Sequence, residues 1–268
     1  PIGNSFVRNL NRRTWEFEMR NVLYDNLRGK IALVTGAGSG IGAALAKRFG
    51  SLGVRVICVG RTKETIKETV SSIKYSGGEA IHFVADATNP EQMEALSKEI
   101  KNTYEGIDFS FLNAGGNIQQ ETIENSDLFQ WKEAVDINMM TFFLGVRVSA
   151  PLMRINGGGR IILTGSAMAH YASVSNSSYS AGKSAARMIA NTASLELMAD
   201  NITVNEFIPG PVKTKQALKN YSETDLNSPF NNPEEWVKKP EDVTDLILTM
   251  FSLPGLGPTS QIFSLARR

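Results

Sequence analysis

With 268 residues, 42% of them hydrophobic, and a formal charge of +1, the chain can fill one large core and is too balanced in charge for a nucleic-acid protein. No uninterrupted apolar stretch approaches the ~20 residues that span a bilayer, so a soluble protein without a membrane contact is expected. The single cysteine, Cys58, excludes an internal disulfide, fits a reducing, cytoplasmic location, and reads as a small core residue within VRVICVG.

Residues 1–28 carry five arginines with Phe6, Trp15 and Phe17, and Glu16, Glu18 and Asp25 argue against a transit peptide. They read as an N-terminal extension, partly helical, lying on the domain or on a neighbouring subunit. From Lys30 the pattern changes. KIALVTG is a buried strand, GAGSGIG a glycine-rich turn, AALAKRFGSLG a helix closed by Gly53, and VRVICVG a second strand. A polar helix from about Thr62 to Ser76, a strand at EAIHFVA, a helix from about Pro90 to Tyr104 and a strand at IDFSFLN follow. A long helical region runs from roughly Asp127 to Ile155, and the glycines at 157–159 separate it from RIILTGS. A helix from about Ser178 to Ala199, the strand ITVNEFI, an irregular polar segment to about Lys239, the helix PEDVTDLILTMFSL and the strand SQIFSL complete the order. Strands alternating with helices of this length imply right-handed crossovers. The expected fold is therefore α/β: one Rossmann-type doubly wound parallel sheet of about seven strands, helices on both faces, spanning residues 29–268.

A strand running straight into Gly36, Gly40 and Gly42 is the context in which glycines let the backbone approach a pyrophosphate. The free N–H groups and dipole of the following helix would favour that anion. After the second strand come Arg61 and Thr62, and no residue from Gly60 to Lys63 is acidic. An acid there would accept the ribose 2′-OH of NAD, whereas an arginine can pair with a 2′-phosphate. NADP (NADPH) is therefore expected over NAD. Asp86, ending the third strand, is placed either to accept from the adenine amino group or to cap a helix.

The densest chemistry lies in SAMAHYASVSNSSYSAGK, residues 166–183. Ser166 stands thirteen residues before Tyr179, and Lys183 one helical turn beyond it. An ordinary phenol, with a pKa near ~10, is a poor acid at neutral pH, and a neighbouring ammonium lowers that value. Ser166 could hydrogen-bond a carbonyl or alkoxide oxygen as charge develops. A bare Y-x-x-x-K on a surface helix is the ordinary alternative, and the surrounding motifs decide against it.

Those motifs together resemble the short-chain dehydrogenase/reductase family, from about Leu27 to Leu265. TGAGSGIG at 35–42, including Ser39 and Ile41, is similar to its T-G-x-x-x-G-x-G. NAG at 113–115 (Asn113, Ala114, Gly115) resembles the element closing its fourth strand. Asp86, Asn138, Ser166, Tyr179 and Lys183 match its adenine-contacting and catalytic positions, and PGPVKT at 209–214 its Pro-Gly motif. The resemblance implies hydride transfer between a nicotinamide and a carbonyl or alcohol carbon. Tyr179 would be the acid, Ser166 the holder of substrate oxygen, and Lys183 the tuner of Tyr179 and a ribose ligand. Asn138 would hold a water in a proton relay to Lys183. Asn113, Ala114 and Gly115 would steady the cofactor, with Pro209, Gly210, Val212 and Thr214 at its carboxamide end. A homotetramer or homodimer, built partly through the Tyr179 helix, is implied too. The chain departs from the family in ending SQIFSLARR without a glycine pair.

The substrate is expected to be a small carbonyl or alcohol compound bounded by Met168, His170 and Tyr171, residues 116–118, and a lid at about 213–239. His170 reads as a loop residue without chemistry. Two other functions remain open at this stage: a catalytically silent scaffold of the same fold, and an epimerase or dehydratase using the cofactor transiently. The intact Ser166, Asn138, Tyr179 and Lys183 weigh against the first.

Overall fold

Burial of apolar strands between two helical layers decides the architecture. The computed structural model describes residues 24–221, 228–254 and 257–266. Seven parallel strands form one sheet in the order β3-β2-β1-β4-β5-β6-β7. They are β1 (Ile31–Thr35), β2 (Arg55–Gly60), β3 (Ala80–Val84), β4 (Phe109–Leu112), β5 (Gly159–Thr164), β6 (Ile202–Ile208) and β7 (Ile262–Ser264). The connecting helices are α1 (Gly40–Ser51), α2 (Lys63–Tyr75), α3 (Pro90–Tyr104), α4 (Leu128–Ile155), α5 (Ser177–Glu196), α6 (Lys215–Asn220) and α7 (Thr244–Ser252).

The two-residue period of a strand sorts β1 between two cores. Ala32 and Val34 join Leu45, Phe49, Ile247 and Phe251 beneath α1 and α7. Ile31 and Leu33 join Met93, Leu96, Phe142 and Ala190 beneath α3, α4 and α5. Both faces are covered, so β1 is buried at every position, as its unbroken apolar run requires.

From β1 the chain winds outward through β2 and β3, then returns to place β4 on the other side of β1. The reversal opens a crevice beyond the carboxyl ends of β1 and β4, where doubly wound sheets bind ligands. Both GAGSGIG and NAG lie there. The anticipated strands and long helices all occur. α6 was expected as irregular chain, because six residues offer too little periodicity to read. The C-terminal segment, despite its missing glycine pair, pairs parallel with β6 through Glu206, Phe207 and Ile208. Residues 1–23, most of the expected extension, lie outside the described residues, as do residues 222–227 of the expected lid.

Candidate active site

Backbone geometry builds the first half of the site. Gly36 and Gly40 take left-handed conformations at φ +66° and +55°, which side chains with a Cβ rarely adopt. A Cβ on Gly42 would overlap the Gly36 carbonyl oxygen, so the third glycine is required by close packing of helix on turn. Ser39 is the extended residue before α1, and its side chain makes no capping bond. The opening N–H groups of α1 therefore face the crevice without a side-chain cap. Thr35 holds the facing element: its hydroxyl accepts from the N–H groups of Asn113 (3.0 Å) and Ala114 (3.1 Å). Asn113 in turn accepts from the Thr164 hydroxyl at 3.1 Å, tying β4 to β5.

Arg61 and Thr62 are exposed at the end of β2, Thr62 directly preceding α2. Asp86 accepts from the Thr88 N–H (2.9 Å) and hydroxyl (2.7 Å), an Asx turn that orients its carboxylate. It does not cap α3; Asn89 does, accepting from the Gln92 N–H. On the opposite wall, Val212 is buried and Thr214 N-caps α6, accepting from the Ala217 N–H at 3.1 Å. A Cβ on Gly40 would lie 3.0 Å from Thr214 Cγ2, so the segment after Pro209 and Gly210 closes against the glycine turn.

The second half is carried by α4, α5 and the end of β5. Ser166 follows β5, its Oγ accepting from the Met168 N–H at 3.2 Å, and its hydroxyl stands close enough to the Tyr179 phenol to pull that group's pKa down. Lys183 is 4% exposed and its Nζ lies 5.8 Å from the Tyr179 ring centre. Asn138, 1% exposed, uses its whole amide: Oδ1 accepts from the Gly116 N–H at 3.1 Å, and Nδ2 donates to the carbonyls of Gly116 and Ala134, both at 2.8 Å. An asparagine in mid-helix thus clasps the turn after NAG. Its Oδ1 and Lys183 Nζ border one small space above Gly115, at 2.8 and 3.6 Å from where a Cβ would stand.

Electrostatics differ from the sequence expectation in one respect. Burial pushes the Tyr179 phenol up to about 12, while the Ser166 hydroxyl pulls it down and proximity to Tyr221 pushes it further up. Lys183 makes no hydrogen bond to it in this arrangement. The ammonium donates instead to the Thr164 carbonyl at 2.7 Å, so desolvation wins over its charge. Burial also brings Lys183 down to about 8, with the Glu206 carboxylate acting in the opposite direction.

Glu206 was not singled out by sequence reading, since it sits unannounced inside the apolar run ITVNEFI. It is 4% exposed on β6, and its carboxylate fills the space a side chain at Gly165 would need. His170 Nε2 lies 3.2 and 3.3 Å from its two oxygens, and Arg187 Nε 3.8 Å from one. His170, expected to be idle, therefore anchors the loop after Ser166, and the Ser184 hydroxyl donating to the Ala169 carbonyl at 3.2 Å holds the same loop. Met168 and Tyr171 flank it, Tyr171 exposed. Tyr221, near the Tyr179 phenol, was not singled out either, because it lies 42 positions downstream and only folding brings it there.

The family model for short chain dehydrogenase matches residues 30–225. The 2,5-dichloro-2,5-cyclohexadiene-1,4-diol dehydrogenase of Sphingobium indicum is 31% identical over 190 residues, 71% of this chain and 76% of that protein. Among solved structures, L-sorbose reductase from Gluconobacter frateurii, complexed with NADPH and L-sorbose, superimposes with a TM-score of 0.81 at 25% identity, covering 90% of this chain and 96% of that one. A 7 alpha-hydroxysteroid dehydrogenase complexed with NADH and 7-oxo glycochenodeoxycholic acid gives 0.81 at 27% identity, covering 90% and 95%.

Proposed function

This chain belongs to the short-chain dehydrogenase family, and on that premise we propose that it transfers a hydride between NADP(H) and the carbonyl or secondary-alcohol carbon of a small molecule. One observation carries the reading: Ser166, Tyr179 and Lys183 stand together beside the Gly115 turn at the crevice between β1 and β4. The glycine cradle fits a dinucleotide, because every side chain that could block its pyrophosphate is missing at Gly36, Gly40 and Gly42. Bound there, the nicotinamide would supply or accept the hydride. Gly36 and residues 39–42 would hold the pyrophosphate, and Asp86 the adenine. Asn113, Ala114, Gly115 and Lys183 would hold the nicotinamide riboside, and Pro209, Gly210, Val212 and Thr214 its carboxamide end. Arg61 and Thr62 would take the 2′-phosphate, since no carboxylate stands at the end of β2 to repel it.

In reduction Tyr179 gives a proton to the forming alkoxide, and Ser166 donates a hydrogen bond to the same oxygen. A phenol raised to about 12 stays protonated throughout the neutral range, so the acid is ready before substrate arrives. Asn138 and Lys183, bordering the space above Gly115, would pass the replacement proton through a water. Residues 29–268 would act as one unit, with the stretch at 213–239 closing over the substrate. Tyr179→Phe should lower kcat at least about a thousandfold while leaving NADPH affinity within about twofold. Retained turnover in that variant would remove the proton-transfer role.

A homodimer or homotetramer through α4 and α5 is part of the proposal. Phe143 on α4 and Met188 and Leu195 on α5 leave a large apolar face in solvent, at 44, 63 and 72% exposure. Met188→Lys combined with Leu195→Lys should yield a monomer in sedimentation velocity. Wild-type protein sedimenting as a monomer would refute the assembly.

A further inference from the structure

The mouth of the cleft is built from carboxamides. Asn117 and Gln120 come from the segment after β4, Asn176 from the residue before α5, and Gln216 and Asn220 from α6. Asn117 Nδ2 donates to Asn176 Oδ1 at 2.6 Å, Gln120 Nε2 to the same oxygen at 3.5 Å, and Asn220 Nδ2 to the Asn117 carbonyl at 2.7 Å. The Gln216 amide packs over Gly116, where a Cβ would overlap it. The Asn117 and Gln120 amides also lie close enough to the Tyr221 phenol to pull its pKa down against burial, and Tyr221 lies near Tyr179. Three elements thus bring amide and hydroxyl groups to the opening above the proton donor.

This network is incomplete. Asn117 Oδ1, Gln119 Oε1 and the Ser180 hydroxyl are buried without a hydrogen-bond partner, the first two in this segment and the third beside Tyr179. Among the described residues only Thr203 shares that condition. Buried polar atoms are nearly always partnered, and those left open at a binding cleft are where a ligand's own groups belong. Carbonyl oxygens of amides need donors, and the donors a neutral small molecule offers in number are hydroxyl groups.

We propose that the substrate is a neutral polyhydroxylated carbonyl compound or its polyol, of the ketose class, with hydroxyls that bond the amides of Asn117 and Gln120, which the fully engaged Asn176 amide holds in place. The inference rests on the dehydrogenase reading and names the substrate of that same site. An apolar ketone entering the cleft would cover these amides and leave their oxygens dry. A pocket made to hydrogen-bond hydroxyls rejects an analogue lacking them far more strongly than an apolar pocket rejects an extra methylene.

The test is NADPH oxidation with D-fructose, L-sorbose and dihydroxyacetone against cyclohexanone and acetophenone, in wild type and in Asn117→Leu. Expected is a kcat/KM for the best hydroxylated ketone at least about a hundredfold above either apolar one. Asn117→Leu should lower that preference at least about tenfold without changing NADPH affinity. Faster turnover of cyclohexanone or acetophenone by wild type, or an equal effect of the variant on both classes, overturns the substrate class and leaves the dehydrogenase reading intact. Should no ketone be reduced, saturation-transfer NMR of the ketoses with the NADPH-loaded protein decides. Binding lost in Asn117→Leu keeps the ligand class and removes the reaction, and no binding removes both.

Discussion

At the scale of single residues, the site is governed by burial more than by pairing. Tyr179 and Lys183 are four positions apart, yet Lys183 spends its hydrogen bond on Thr164 and loses affinity for its proton to desolvation. Its value of about 8 lies below the ordinary 10.5, so the ammonium is present below about pH 8 and is lost as pH rises through it. If the charged lysine is the working form, kcat/KM for reduction falls on the alkaline side with an apparent pKa near 8. Glu206 opposes the desolvation, so removing its charge must move that limb to lower pH. Glu206→Gln, which keeps the shape beside Gly165 and a hydrogen bond to His170, should shift the limb down while circular dichroism is unchanged. A limb that stays in place in a folded Glu206→Gln variant would show that Lys183 does not feel this carboxylate.

Elements set these residues in place through backbone contacts that tolerate little change. The glycine turn and α1 meet where the Gly36 carbonyl touches Gly42, and α4 reaches the NAG turn through the Asn138 amide and through the Thr141 hydroxyl, which donates to the Ala114 carbonyl at 3.0 Å. Gly42→Ala should therefore weaken NADPH binding at least about tenfold in a fluorescence titration, since turn and helix must separate to admit the methyl group. Unchanged affinity would mean that the turn can move without cost to the cofactor site. The neighbouring α6 illustrates the opposite case. It is short and largely exposed, held by the Thr214 cap and by the Asn220 bond to Asn117, so it depends on contacts distant in sequence. Elements of that kind open most readily, which suits the closing role proposed for this segment.

For the whole molecule, folding and cofactor binding are linked. NADPH at about a hundred times its Kd should add about 2.7 kcal/mol to stability, raising Tm by roughly 5–10 °C for a chain of this size. At equal concentration NADH should raise it less, and Arg61→Ala should bring the two curves together. Equal shifts from both cofactors in wild type would remove the NADP preference.

Much of this was legible without tertiary structure, because strands, helices and turns follow from short-range patterning. The run KIALVTG, the glycines at 36, 40 and 42, and the serine, tyrosine and lysine at 166, 179 and 183 carry their meaning in local spacing. So does the family, through several such motifs in order. What the sequence alone determined was therefore the sheet, the glycine turn and the family, and it supplied the proton-transfer set proposed above. Only the tertiary structure decided the ionisation of that set, the buried Glu206 beneath it, and the amides gathered with Tyr221 at its mouth. The reason is physical: desolvation depends on everything that surrounds a group, and the partners involved lie from 19 to more than 100 positions apart in the chain.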